Sequence, residues 1–192
     1  MKYILDFDEV LFDTASLKEK MTELKIPESE RDIDVFERIK NSDPEFEFKQ
    51  LVFPGALKFL QEYGNDCIVV SSASSIVSEN NTNLEAQKIF QERKILLSGV
   101  TGLVQDVRVV DVSKSEVLAE LKQEFEDVVF LDDREVYIKE ANELGIKSVW
   151  MDRENRGCSN TPEGMPTMVR FPRVGSFAEF VKYIELCKKD KE

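Results

Sequence analysis

The feature that most constrains the fold of this chain is an alternation of short apolar runs with stretches of helical periodicity. The runs are Tyr3-Ile4-Leu5, Cys67-Ile68-Val69-Val70, Val107-Arg108-Val109-Val110, Val128-Val129-Phe130-Leu131 and Ser148-Val149-Trp150-Met151. Nearly continuous apolar runs, rich in valine and isoleucine, suit parallel strands, because such strands are covered on both faces. Helices are expected between and after them, near 55–63, 82–92, 114–125, 134–144 and 176–188. In the last, Phe177, Phe180, Val181 and Ile184 recur at i, i+3, i+4 and i+7, and Ser176 with Glu179 reads as a capping box. Gly145 marks the stop of the helix before it. Strands alternating with helices predict an α/β layered fold built on a parallel sheet.

Residues 15–52 break this rhythm. Leu17, Met21 and Leu24, then Val35, Phe36 and Ile39, form two weak helical patterns punctuated by Pro27 and Pro44. They read as a small helical insertion after the first strand, closed by Phe53-Pro54-Gly55. Phe46 and Phe48 are expected to pack that insertion on the core, with a substrate-facing role as the alternative. The stretch 152–166, with two glycines and two prolines, reads as a loop before a late strand at Met168-Val169-Arg170-Phe171. The chain of 192 residues thus divides into a core, 1–14 with 53–192, and an insertion, 15–52.

Composition removes several kinds of chemistry. There is no histidine, so Ser-His-Asp and Cys-His catalysis and most zinc sites are excluded. Neither GxGxxG nor GxxxxGK[ST] occurs, which leaves dinucleotide and P-loop readings without support. A formal charge of -12, spread along the chain, disfavours a broad nucleic-acid surface. Cys67, Cys158 and Cys187 are far apart, make no CxxC pair, and fit reduced cysteines in a cytoplasmic protein. No apolar run approaches membrane-spanning length and no signal-peptide pattern opens the sequence.

In an open parallel sheet, ligands bind beyond the carboxyl ends of the strands. Those ends carry Asp6 and Asp8, then Ser71 and Ser72, then Asp111, Ser113 and Lys114, then Asp132 and Asp133. Carboxylates gathered from two strands repel one another, and a hard divalent cation such as magnesium relieves that repulsion through oxygen ligands. Magnesium in turn binds phosphate oxygens, an aspartate can accept a phosphoryl group, and a lysine and a serine hydroxyl can hold its oxygens. Ser113 and Glu116 read as a capping box that puts Lys114 in the first turn of a helix, where the macrodipole disfavours a cation. A local cost at a strand-to-helix junction points to a function for that lysine.

Taken in order, these segments resemble the haloacid dehalogenase (HAD) superfamily. Ile4-Leu5-Asp6-Phe7-Asp8-Glu9-Val10-Leu11-Phe12-Asp13-Thr14 looks like its first motif and Val69-Val70-Ser71 its second. Lys114-Ser115-Glu116-Val117-Leu118 is similar to the third, and Val129-Phe130-Leu131-Asp132-Asp133 to the fourth. The resemblance covers residues 1–14 and 53–151. It implies a Rossmann-like three-layer core with a mostly parallel sheet, and a small cap inserted after the first strand. It implies Asp6 as nucleophile, forming an aspartyl phosphate, and Asp8 as the acid that protonates the leaving oxygen and then the base for water. Ser71, or Ser72 in its place, and Lys114 would hold the phosphoryl oxygens. Asp6, the Asp8 backbone carbonyl, Asp132 and Asp133 would hold magnesium. Glu9 departs from the small residue common at its position, and Tyr137 stands where a further polar group often helps.

The expected activity is a magnesium-dependent phosphomonoester hydrolase acting on a phosphorylated small molecule or the phosphorylated end of a larger one. A phosphotransferase or mutase on the same core is the alternative, as is a non-catalytic phosphate-binding or signalling module. A receiver-type module fits less well, because there the lysine follows the other motifs, whereas Lys114 precedes Asp132-Asp133. Arg134, Arg153 and Arg156 could approach a second anionic group, with solvated arginines as the ordinary account.

Overall fold

The computed structural model describes residues 1–26, 34–73, 84–111, 113–153 and 171–189, with the backbone alone at Asp34. The apolar runs form strands β1 (Lys2–Leu5), β2 (Cys67–Ser72), β3 (Asp106–Val110), β4 (Val128–Asp132) and β5 (Lys147–Met151). A two-residue strand, β6 (Arg173–Val174), completes a six-stranded sheet in the order β3-β2-β1-β4-β5-β6. Every neighbouring pair is parallel. Strands 2 and 3 extend from β1 on one side and strands 4 to 6 on the other, so the order reverses between β1 and β4. That reversal opens a crevice at the strands' carboxyl ends.

Helices cover both faces, which explains why the strands lack polar alternation. Side chains alternate across the sheet along each strand. Tyr3, Leu5, Cys67, Val69, Val129 and Leu131 enter one buried cluster with residues of α3 (Pro54–Tyr63), α4 (Leu84–Leu97) and α7 (Phe177–Lys189). Ile4, Ile68, Val70, Val128 and Phe130 enter the other, under α5 (Ser115–Glu124) and α6 (Glu135–Glu143). The first cluster is rich in aromatic edge contacts, as where Tyr3 meets Phe59, Tyr63 and Phe180.

The weak patterns within 15–52 become α1 (Thr14–Glu23) and α2 (Asp34–Ser42), followed by a 3-10 turn at Phe48–Leu51. Their buried residues, Leu17, Met21, Val35, Phe36 and Ile39, belong to the same cluster as the sheet's first face. Phe46 and Phe48 are buried there, Phe36 stacking on Phe90 of α4 and meeting Phe48 edge-on. The two phenylalanines therefore pack the core, as the alternation suggested.

Several local expectations are corrected. Helix α4 runs five residues past 92, because Lys94 and Ile95 extend its buried face. Of the expected strand at 168–171, residues 168–170 lie outside the described residues and Phe171 is outside any strand; the segment paired with Trp150 and Met151 is Arg173–Val174. Ser113 and Glu116 form no capping box. Helix α5 starts one residue later, with Lys114 at the N-cap, and the Ser113 hydroxyl accepts from the Ser115 amide at 3.2 Å. At α7 the Ser176 hydroxyl accepts from the Glu179 amide as expected, but the Glu179 carboxylate takes the Gly175 N–H in place of that of Ser176. Among the described residues no helix is long and apolar enough to cross a membrane.

Candidate active site

The crevice gathers Asp6, Asp8, Lys114, Asp132 and Asp133 around two centres. Asp6 follows β1, its amide donating to the Leu131 carbonyl of β4 at 2.9 Å, so its position is locked to the strand that ends in Asp132. Carboxylate oxygens of Asp6, Asp132 and Asp133 lie within 4.8 Å of one another, and all three residues are buried. The Lys114 ammonium sits between two of them, 2.6 Å from Asp6 Oδ1 and 2.6 Å from Asp132 Oδ2. Only 1% of Lys114 is exposed, so its ammonium is buried with these carboxylates and not solvated. The two contacts also outweigh the helix dipole that disfavours a cation there. The other Asp132 oxygen accepts the Arg134 amide at 2.8 Å, and the Trp150 indole donates to the Asp133 carbonyl at 2.9 Å. These contacts fix both aspartates from neighbouring elements.

Electrostatics in this first centre follow from three carboxylates against one ammonium. Burial pushes the Asp6 carboxyl well above the ordinary aspartate range; Lys114 opposes that rise, and Asp132, Asp133 and Asp8 add to it. Burial acts to lower the Lys114 ammonium, but Asp132 and Asp6 outweigh it and hold the group above the ordinary lysine value. A divalent cation would balance the remaining negative charge, and an all-oxygen donor set suits magnesium. The residues present therefore fit such an ion.

The second centre surrounds Asp8. Its Oδ1 accepts from Lys94 Nζ at 2.5 Å and from the Thr14 hydroxyl, and its Oδ2 accepts from Gln91 Nε2 at 2.7 Å. Burial acts to raise this carboxyl, yet the Lys94 charge and the three hydrogen bonds outweigh it and hold Asp8 below the usual range. Gln91 and Lys94 are buried residues one turn apart on α4, and Lys94 also faces the rings of Phe7, Phe12 and Phe90. Neither was singled out in the sequence. The available signal was two polar residues spaced i, i+3 and flanking Phe90 and Ile95 on a helix with little apolar periodicity.

The two serines part company. Ser71 is buried and its oxygen accepts from Gln91 Nε2 at 2.8 Å, whereas the Ser72 hydroxyl lies 3.2 Å from the Tyr137 hydroxyl. Tyr137 thus packs under the site, its ring 4.7 Å from Lys114 Nζ. Asp111 is exposed, with one oxygen 3.9 Å from Lys88, and takes no part in either centre.

The loop after Asp8 is tightly built. Glu9 adopts a left-handed backbone (φ 57°), and its carboxylate accepts the Ala15 amide at 2.9 Å. Asp13 caps α1 by accepting the Ser16 amide at 2.9 Å. The Arg153 guanidinium donates to the carbonyls of Glu9 and Val10 at 3.0 and 2.8 Å and stacks 3.9 Å from the Phe53 ring. Arg153 therefore braces this loop. Arg134 lies 5.1 Å over the Tyr137 ring, and Arg156 is outside the described residues.

No protein-family sequence model matches the chain, and no curated protein matches it in sequence. Solved structures do share its fold. A haloacid dehalogenase-like hydrolase from Burkholderia xenovorans superposes with a TM-score of 0.63 at 16% identity, over 94% of each chain. The L-2-haloacid dehalogenase from Xanthobacter autotrophicus, with chloropropionic acid covalently bound, gives 0.60 at 13% identity, over 96% of this chain and 98% of that one. A haloacid dehalogenase-like family protein from Streptococcus pneumoniae gives 0.54 at 10% identity over 96% and 98%. The fold is that of the haloacid dehalogenase-like hydrolases.

Proposed function

We propose that this chain is a magnesium-dependent phosphomonoester hydrolase working through an aspartyl phosphate on Asp6. The observation that carries the reading is the buried trio Asp6, Asp132 and Asp133, with the Lys114 ammonium bonded to Asp6 and Asp132. Two further buried carboxylates beside a carboxylate nucleophile raise a repulsion that a bound divalent cation would offset. For a phosphatase the same cluster is useful, since Asp6, Asp132 and Asp133, with the Asp8 carbonyl, would hold the ion. When bound, magnesium would supply charge neutralisation for the phosphoryl oxygens.

The remaining roles follow from the chain's own groups. Lys114 holds Asp6 Oδ1 and orients the carboxylate for attack on phosphorus. Ser71 and Lys114 would hold phosphoryl oxygens as charge shifts. Asp8, held ionised by Lys94, suits the second step, in which a carboxylate takes a proton from the attacking water. Protonating the leaving oxygen in the first step requires a proton to reach Asp8 with the substrate. The substrate class is a phosphorylated small molecule or the phosphorylated end of a larger one.

The test is phosphate release from a panel of phosphomonoesters, with magnesium or with chelator, alongside chloride release from 2-chloropropionate. Phosphate release that is lost with chelator and in Asp6→Asn is expected. Chloride release unaffected by chelator, with no phosphate release, would refute the proposal in favour of a dehalogenase. Stable phosphoryl transfer to an acceptor other than water would move the assignment to a phosphotransferase.

A further inference from the structure

Gln91 holds an unusual place: one side-chain nitrogen bonds both Asp8 and Ser71, residues carried on the ends of two different strands. The separations are 2.7 Å to Asp8 Oδ2 and 2.8 Å to Ser71 Oγ. An ionised carboxylate can only accept, so the amide must present its NH2 to Asp8, which settles its orientation. That NH2 has two hydrogens. One goes to Asp8 and the other to Ser71, so the Ser71 oxygen is an acceptor in this pair and its own hydrogen points elsewhere. Among the described residues no acceptor takes that hydrogen.

Asp8 does not need Gln91 for its charge, because Lys94 and Thr14 already serve Oδ1. Ser71 has no such second partner among the described residues. Ser72, in contrast, is engaged with Tyr137. We propose that Gln91 is a positioning residue that sets the Ser71 hydroxyl as a donor toward an oxyanion in the site, and so selects Ser71 over Ser72 for phosphoryl oxygens. The inference rests on the phosphatase reading above for the identity of that oxyanion. A hydroxyl held this way donates without first reorganising, which is what makes fixed dipoles effective at a charged group.

The experiment is a double-mutant cycle read by calorimetric binding of inorganic phosphate to the full chain with magnesium present. Ser71→Ala is expected to weaken binding by about tenfold, the range for a hydrogen bond to a charged group. Gln91→Leu should do the same, and the double variant should also lose about tenfold, against about a hundredfold for independent sites. Gln91→Met serves as a second variant in case leucine disturbs folding, and thermal melts verify the fold of each. Phosphate binding unchanged by both Gln91 variants with the fold intact, additive losses, or no phosphate binding by wild type would overturn the inference. Phosphomonoester turnover is assayed separately. A coupled cycle in a protein that turns over none supports the role of Gln91 and sinks the phosphatase reading, whereas turnover with additive losses does the reverse.

Discussion

Lys114→Met offers the most direct test of how the acidic crevice is held together. The lysine is 1% exposed and lies 2.6 Å from Asp6 and 2.6 Å from Asp132. Methionine keeps much of the volume and the contact with Phe130 and Tyr137, so packing loss is small. The electrostatic loss is not. Two carboxylates within 4.8 Å of each other repel by at least about 3.5 kcal/mol at an effective dielectric of about 20, and Asp6 and Asp132 would remain without their shared ammonium. Removing one partner of a buried ion pair costs about 3–5 kcal/mol, part of which protonation of Asp6 recovers. In urea denaturation at neutral pH with chelator, the variant should therefore lose several kcal/mol, up to about 3–5 kcal/mol less the part recovered by protonation. For a chain of this size each kcal/mol lowers the melting temperature by about 2–4 °C. Adding Asp132→Asn should return part of the loss, because it removes one of the stranded charges. Magnesium should stabilise the single variant more than wild type. A loss below about 1 kcal/mol, typical of a surface pair, would refute the reasoning, as would a double variant less stable than the single one.

Two other outcomes follow from charge and backbone. Asp6 is raised in the folded state, so between the unfolded aspartate value of about 3.9 and its folded value the native protein binds more protons, and stability falls as pH rises. Metal-free Asp6→Asn should thus be more stable than wild type at pH 7, with the gap closing toward acid; a gap independent of pH in urea titrations would contradict this. Asp8 works in the opposite sense, contributing stability above the unfolded value that is lost as pH falls through its depressed folded value. Glu9 sits at φ 57°, where a β-carbon costs about 1–2 kcal/mol that glycine does not incur. Both Glu9→Ala and Glu9→Gly lose the bond to the Ala15 amide, so the glycine variant should be the more stable of the two by denaturant midpoint. The reverse order would show that the left-handed turn carries no strain.

Much of this molecule was legible in one dimension, because the relevant periodicities are local. The five main strands announced themselves as apolar runs bounded by polar residues, and the burial of β1, β2 and β4 on both faces is what those runs anticipated, whereas the edge strand β3 is half-buried throughout. The short β6 did not, since two residues carry no periodicity and Arg173–Val174 becomes a strand only beside Trp150 and Met151. Lys114 was visible as a cation at an unfavourable helix start, but not as a buried one, because its partners come from β1 and β4. Gln91 and Lys94 were invisible as site residues: their meaning depends on α4 crossing the ends of strands that precede it by many residues.

The sequence alone determined the alternation of strands and helices, the oxygen-and-lysine chemistry at the strand ends, and the absence of any histidine route. Tertiary structure decided the rest. It separated the acidic residues into two centres, one around Lys114 with Asp6, Asp132 and Asp133, the other around Asp8 with Lys94, Thr14 and Gln91. It also parted Ser71 from Ser72 by aiming adjacent residues at different partners. The physical reason is the same in each case. Strand and helix periodicity is set by neighbours along the chain, whereas a charge's state and a hydroxyl's direction are set by groups that only folding brings within hydrogen-bond distance.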